Sequence, residues 1–188
     1  APVAVDDILV ATENTALITA TTLLAANDID VDGNPLTVTA VGNAINGTVS
    51  LASGVVTFTP NTNFNGTASY EYTVTDSVLN DVGLVTVNIE AANNAPLAAP
   101  VTLAAIAEDS GVHLITSTQL LAGVTDVDGP PATITALTIA TGNGTLVNNN
   151  NGTWNYTPAL NDDTSVTFNY TASDGSLQAS STASLDIT

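Results

Sequence analysis

Apolar and polar residues alternate along most of this chain, and a period of two marks a strand with one buried face. The clearest run is Tyr70-Glu71-Tyr72-Thr73-Val74-Thr75, which sets two aromatic rings and a valine on one side. A later run sets Val166, Phe168, Tyr170 and Ala172 on one side in the same way. Threonine, valine and alanine dominate, turn residues recur about every 8–12 positions, and no long segment keeps a helical period. The pattern predicts strands over residues 3–10, 16–19, 36–41, 47–51, 55–59, 68–75 and 83–89. A second series follows over 101–106, 112–116, 132–139, 144–147, 153–157, 165–172 and 179–187. Single helical turns are expected at 22–26 and 118–122.

The second series repeats the first. Ala1-Pro2 matches Ala95-Pro96, Glu13 matches Glu108, and Asp30-Val31-Asp32-Gly33 matches Asp126-Val127-Asp128-Gly129. Phe58-Thr59-Pro60 matches Tyr156-Thr157-Pro158, and Asp76 and Asp174 each close an alternating aromatic run. Such a period is too long for a solenoid and suits one small all-β domain. The expected architecture is all-β: two tandem immunoglobulin-like β-sandwiches of about seven strands each. They cover residues 1–92 and 93–188 and are joined end to end by a short linker around Ala91-Ala92-Asn93-Asn94-Ala95-Pro96.

Charge narrows the choice of partners. The chain has 18 carboxylates and no lysine, arginine, cysteine or methionine, for a formal charge of −18. Nucleic-acid backbones and anionic membrane surfaces need cationic contacts, so both are excluded as direct partners. Repulsion must be relieved by salt, by protonation or by bound cations. An apolar content of 44% with regular patterning argues for a folded chain rather than a disordered acidic one. Without cysteine there are no disulfides, which fits a bacterial extracellular protein. No signal peptide and no membrane-spanning run are visible, so Ala1 reads as an internal cut in a longer chain or the start of a processed one.

Strand parity turns the acidic positions into geometry. In an antiparallel sandwich the chain start, the loop between strands two and three and the loop between strands six and seven share one end. In the first unit these segments hold Asp6 and Asp7, then Asp28, Asp30 and Asp32, then Asp76. In the second they hold Asn93 and Asn94, then Asp126 and Asp128, then Asp174. Glu13 and Glu108 fall at the opposite end, so Glu13 is expected to face Asp126, Asp128 and Asp174 across the joint. Carboxylates gathered this closely oppose one another's ionisation unless a cation joins them. Calcium, with about 6–8 oxygen ligands in irregular geometry, suits the set better than magnesium. An EF-hand is rejected, because Thr39 stands where the bidentate glutamate belongs and no flanking helices are visible. A lone Asp-Gly pair would be only a tight turn; three converging acidic segments are more than that.

Several motifs together resemble a known family. They are Ala1-Pro2-Val3-Ala4-Val5-Asp6-Asp7, Thr12-Glu13-Asn14-Thr15, Leu23-Leu24-Ala25-Ala26-Asn27-Asp28-Ile29-Asp30-Val31-Asp32-Gly33 and Asn63-Phe64-Asn65-Gly66. With the Tyr70–Asp76 run and the Asn93-Asn94-Ala95-Pro96 joint, they are similar to the cadherin-like tandem repeats of large bacterial RTX-type surface adhesins. The resemblance covers both units and is looser in the second. It implies one-step secretion to a Gram-negative cell surface and calcium at the joints that stiffens a flexible array. Unit two departs from it: Pro100-Val101 stand for Asp6-Asp7, and nothing clearly matches Asp28.

The remaining features have plain readings. Asn-x-Ser/Thr sequons at Asn46, Asn65, Asn143, Asn151, Asn155 and Asn169 mostly coincide with turn dipeptides. His113 is expected to be exposed, Trp154 to be core, and Pro130-Pro131 to fix a loop. No nucleophile elbow or other catalytic constellation is present, so no enzyme is expected. The sequence is therefore read as calcium-rigidified extender repeats of an extracellular bacterial adhesin in cell adhesion or biofilm. The expected partners are neighbouring repeats or identical subunits, with any glycan or cell-surface ligand carried by other domains. Two alternatives stay open: a repeating subunit of a surface fibre, sheath or layer, and a module that grips sugars or ice.

Overall fold

A computed structural model of the chain describes residues 1–129 and 131–188, and resolves two compact units, Ala1–Ala92 and Asn93–Thr188. Pro130, expected to help fix a loop, lies outside the described residues. Unit 1 runs β1 (Pro2–Val3), β2 (Asp7–Thr12), β3 (Leu17–Ala20), a helical turn α1 (Thr21–Leu24), β4 (Ile29–Asp30), β5 (Thr37–Ile45), β6 (Gly47–Ala52), β7 (Val55–Pro60), β8 (Gly66–Thr75) and β9 (Asn80–Glu90). One sheet has the order β2-β9-β8-β5, the facing sheet β3-β7-β6, and β1 pairs with β4 beside them. Ala68, Tyr70, Tyr72 and Val74 of β8 are buried, and Phe58 of the facing sheet stacks on Tyr70 with ring centroids 5.6 Å apart.

Unit 2 repeats the plan with β10 (Leu97–Ala98), β11 (Val101–Thr102), β12 (His113–Thr116), α2 (Ser117–Leu121), β13 (Val124–Thr125), β14 (Thr133–Thr141), β15 (Thr145–Asn148), β16 (Thr153–Thr157), β17 (Val166–Ser173) and β18 (Gln178–Leu185). Its sheets are β11-β18-β17-β14 and β12-β16-β15, with β10 paired to β13. Trp154 and Tyr156 of β16 are buried, as the alternation requires, and Tyr156 meets Phe168 edge-on. Each unit is thus an all-β sandwich. Among the described residues no helix is long and apolar enough to cross a membrane.

The structure corrects three local expectations. The first predicted strand is not continuous: β1 runs antiparallel to β4, whereas β2 runs parallel to β9. The break falls where the backbone N–H groups of Ala4 and Val5 donate to the carboxylates of Asp81 and Asp28 instead of to a neighbouring strand. In unit 2 the strand predicted over 101–106 shrinks to Val101–Thr102, with one further bridge from Ile106 to Ile187. His113 is half-buried rather than exposed, and its Nε2 is enclosed.

One glycine decides how the first sheet closes. Gly83 lies opposite Tyr72 across β8 and β9, and a Cβ there would stand 2.4 Å from the Tyr72 ring. The bare backbone lets the ring lie over β9 and carry its hydroxyl to the acidic end of the unit.

Candidate metal centres

The three acidic segments of unit 1 do meet at one end of the sandwich. Asp28 Oδ1 accepts from the backbone N–H of Val5 at 2.8 Å, tying the middle loop to the chain start. Asp6 accepts from Leu84 N–H at 2.9 Å, and Asp81 accepts from Ala4 N–H at 2.9 Å, tying the chain start to β9. Asp30 accepts at Oδ1 from the N–H groups of Asp32 and Asn34, while its Oδ2 and that of Asp32 each lie 3.2 Å from the Ala1 ammonium. Asp76 closes its own turn by accepting from Val78 and Leu79 N–H at 2.8 and 2.7 Å.

These bonds set the electrostatics. Two backbone donors, Leu79 then Val78, hold the Asp76 carboxyl below the usual carboxylate range, against the opposing push of Asp30. Asp30 is held low by Asn34 N–H first, then by the amino terminus and Asp32 N–H. Asp7 goes the other way: burial, then the charge of Asp28, raises it. Burial, with the charge of Asp7 beside it, pushes the Tyr70 phenol up to about 12.

Unit 2 builds the same end from fewer acids. Asp174 Oδ1 accepts from Ser176 and Leu177 N–H at 2.6 and 2.7 Å, and its Oδ2 accepts from the Asn93 side chain at 2.9 Å. Leu177, Ser176 and Asn93 together hold that carboxyl low. Asp128 accepts from Asn94 N–H at 3.0 Å, and Asp126 accepts at Oδ1 from Gly129 N–H at 3.2 Å. Asn93 and Asn94 are therefore gathered with Asp128 and Asp174 by direct bonds, and the Asp126 loop sits beside them. Glu13 lies at the other end of unit 1, buried, with its N–H on Glu90 and its carboxylate accepting from Asn65.

Among the described residues no three acidic or histidine groups form a ready-made cage. The fit to a cation rests on a different observation. Asp6, Asp28, Asp30, Asp76, Asp126, Asp128 and Asp174 each have an oxygen held by backbone N–H groups, Asp7 has one held by the Asn27 amide, and several keep a second oxygen idle. Oδ2 of Asp7, Asp28 and Asp126 is buried with no hydrogen-bond partner among the described residues. Buried anionic oxygens without a partner are costly, and a hard oxygen-loving cation satisfies them. Asp81, Tyr70 and Tyr72 belong to this end of the unit and are invisible as site residues in the sequence. The tyrosines read there as core, and Asp81 falls before the strand predicted over 83–89.

Comparison with known proteins agrees with the fold. The family described as "Cadherin-like domain" matches residues 92–188, and the family described as "Bacterial Ig domain" matches residues 1–88. Among solved structures, human protocadherin-24 EC1-2 is similar in fold, with a TM-score of 0.52 at 17% identity over 97% of this chain and 94% of that one. The human desmocollin-1 ectodomain matches with a TM-score of 0.40 at 16% identity, over 100% of this chain and 42% of that one. An endo-fucoidan hydrolase of glycoside hydrolase family 107 also matches, with a TM-score of 0.37 at 15% identity over 99% of this chain; the chain spans only 28% of that enzyme. No curated protein sequence matches.

Proposed function

The chain belongs to the cadherin-like domain family, and on that premise we propose that its units are structural repeats of an extracellular bacterial surface protein, ordered by calcium at their acidic ends. Domains of these kinds are typically surface modules without enzymatic activity, and cadherin-like domains generally bind calcium. The observation that carries the proposal is the convergence of acidic segments remote in sequence, with carboxylate oxygens left buried and unpartnered. In unit 1 the ligands are drawn from Asp6, Asp7, Asp28, Asp30, Asp32 and Asp76. In unit 2 they are drawn from Asp126, Asp128 and Asp174, with the oxygens of Asn93 and Asn94. Glu13 is assigned the same role at the opposite end of its unit. Because Asn93 and Asn94 are linker residues, an ion at this end of unit 2 also pins the linker. That is how calcium would stiffen an array that holds adhesive domains away from a cell. The partners are neighbouring repeats of the same chain or identical subunits.

The test is thermal unfolding in calcium and in chelator, with small-angle scattering alongside. An ion that binds only the folded chain stabilises it by about 2.7 kcal/mol at ~100-fold excess over Kd. For a domain of roughly 90 residues that is a rise in Tm on the order of 10–20 °C. A Tm that ignores calcium would sink the proposal, and scattering that ignores it would remove the stiffening role.

A further inference from the structure

The two units differ at one place in a way that points to an ion held by unit 1 alone. Across the first sheet, Asp7 of β2 and Tyr70 of β8 both pair with Val85 of β9, so the three side chains share one inward-facing row. Tyr70 is fully buried, and its hydroxyl has no hydrogen-bond partner among the described residues. Asp7 Oδ2 and Asp28 Oδ2 are buried and unpartnered in the same way. Around them, the Asn27 amide donates to Asp7 Oδ1 at 3.1 Å and to the Val5 carbonyl at 3.2 Å. The Tyr72 hydroxyl reaches Asp28 Oδ1 at 2.7 Å. The Asn27 amide and the Tyr72 hydroxyl are thus spent on other oxygens, and Asp7 Oδ2, Asp28 Oδ2 and the Tyr70 hydroxyl are left buried without a partner among the described residues.

Register locates the matching residues in unit 2. Val101 of β11 and Phe168 of β17 share a row through Ala183, as Asp7 and Tyr70 share one through Val85. Tyr170 hydrogen-bonds the Ala99 carbonyl as Tyr72 does that of Val5, which fixes the alignment. In the pairing of β10 with β13, Val124 occupies the place of Asp28, and Gly123 that of Asn27. Asp7, Asn27, Asp28 and Tyr70 are therefore answered by Val101, Gly123, Val124 and Phe168. Val101 and Val124 pack against the unit 2 core. A Cβ on Gly123 would strike Val101 at 2.7 Å, so the space is filled. The four polar groups are replaced together.

We propose that unit 1 binds a hard divalent cation of the calcium class in an inner pocket formed by Asp7, Asp28, Asn27 and Tyr70, and that unit 2 fills the same pocket with apolar side chains. Two buried carboxylate oxygens call for a charge, which water does not supply. The inference rests on the calcium reading above, which already draws on Asp7 and Asp28, and separates these two into an inner site apart from Asp30 and Asp32.

The test transplants the unit 2 residues into the full chain as D7V/N27G/D28V/Y70F and counts bound ions by equilibrium dialysis with labelled calcium. One ion fewer per chain than in the unaltered protein is the expected result. An unchanged count would overturn the proposal and leave a water or a proton in the pocket. Because the fourfold variant could misfold, a second variant, D7N/D28N, keeps the shape and removes the charge. It should melt higher than the unaltered chain in chelator and gain less from calcium; equal melting under both conditions would also overturn the proposal. The outer sites are checked separately with D30N/D32N. If that variant loses no calcium while the fourfold variant does, the outer reading fails and the inner pocket stands. If the unaltered chain binds no calcium, both fail.

Discussion

At the scale of the residue, a carboxylate in this protein is defined by what its two oxygens touch. Asp162 shows the case free of any metal question. It accepts from Thr164 N–H at 3.0 Å and from the Asn143 side chain at 2.7 Å. The Thr164 side chain first, then Asn143 and Thr164 N–H, hold its carboxyl below the ordinary value. A lowered acid stabilises the fold above its unfolded pKa, near ~3.9, and loses that contribution as pH falls through its folded value. Carbon-detected NMR titration should therefore place the Asp162 midpoint under the ordinary range, and Thr164→Ala should move it upward. A midpoint at or above the ordinary value would refute the assignment. The candidate ligands were legible in the sequence because strand parity alone sends Asp6, Asp30, Asp32 and Asp76 to one end. The roles of Tyr70 and Tyr72 were not. An inward aromatic in an alternating strand looks like core whether or not its hydroxyl ends beside an aspartate.

At the scale of the element, the two helical turns were expected within a residue or so, yet the units build them differently. Thr116 caps α2 reciprocally: its side chain accepts from Gln119 N–H, and the Gln119 side chain accepts from Thr116 N–H. The matching position before α1 is Ala20, which offers no side-chain cap. Replacing Thr116 with alanine should cost unit 2 about 1 kcal/mol. The loss is readable through the single tryptophan, because Trp154 pairs with Ile115 beside the cap. An unchanged urea midpoint in tryptophan fluorescence would show that the box contributes nothing. The split first strand was not legible, because Ala4 and Val5 continue an apolar run that any local rule extends. Only the remote carboxylates of Asp81 and Asp28 divert their N–H groups.

At the scale of the whole molecule, the charge is nearly all of one sign. Among the described residues the ion pairs of Asp30 and Asp32 are both made with the Ala1 ammonium. Salt that screens like charges should therefore stabilise the folded chain in chelator. Raising sodium chloride from about 10 to 150 mM shortens the Debye length from ~30 to ~8 Å, and the urea midpoint should rise. A midpoint that falls with salt would mean that attractive pairs dominate after all.

The sequence by itself determined the all-β class, the repeat and the end of each unit at which its acids gather. Alternation, turn chemistry and strand parity are local or additive properties. The tertiary structure alone decided which carboxylate oxygens stay tied to backbone N–H groups and which are left buried and idle. It also placed Asp7 in a row with Tyr70, and Val101 in a row with Phe168. Those rows depend on β2 and β11, near the start of each unit, pairing with β9 and β18 at its end, where a slip of one residue sends a side chain to the other face.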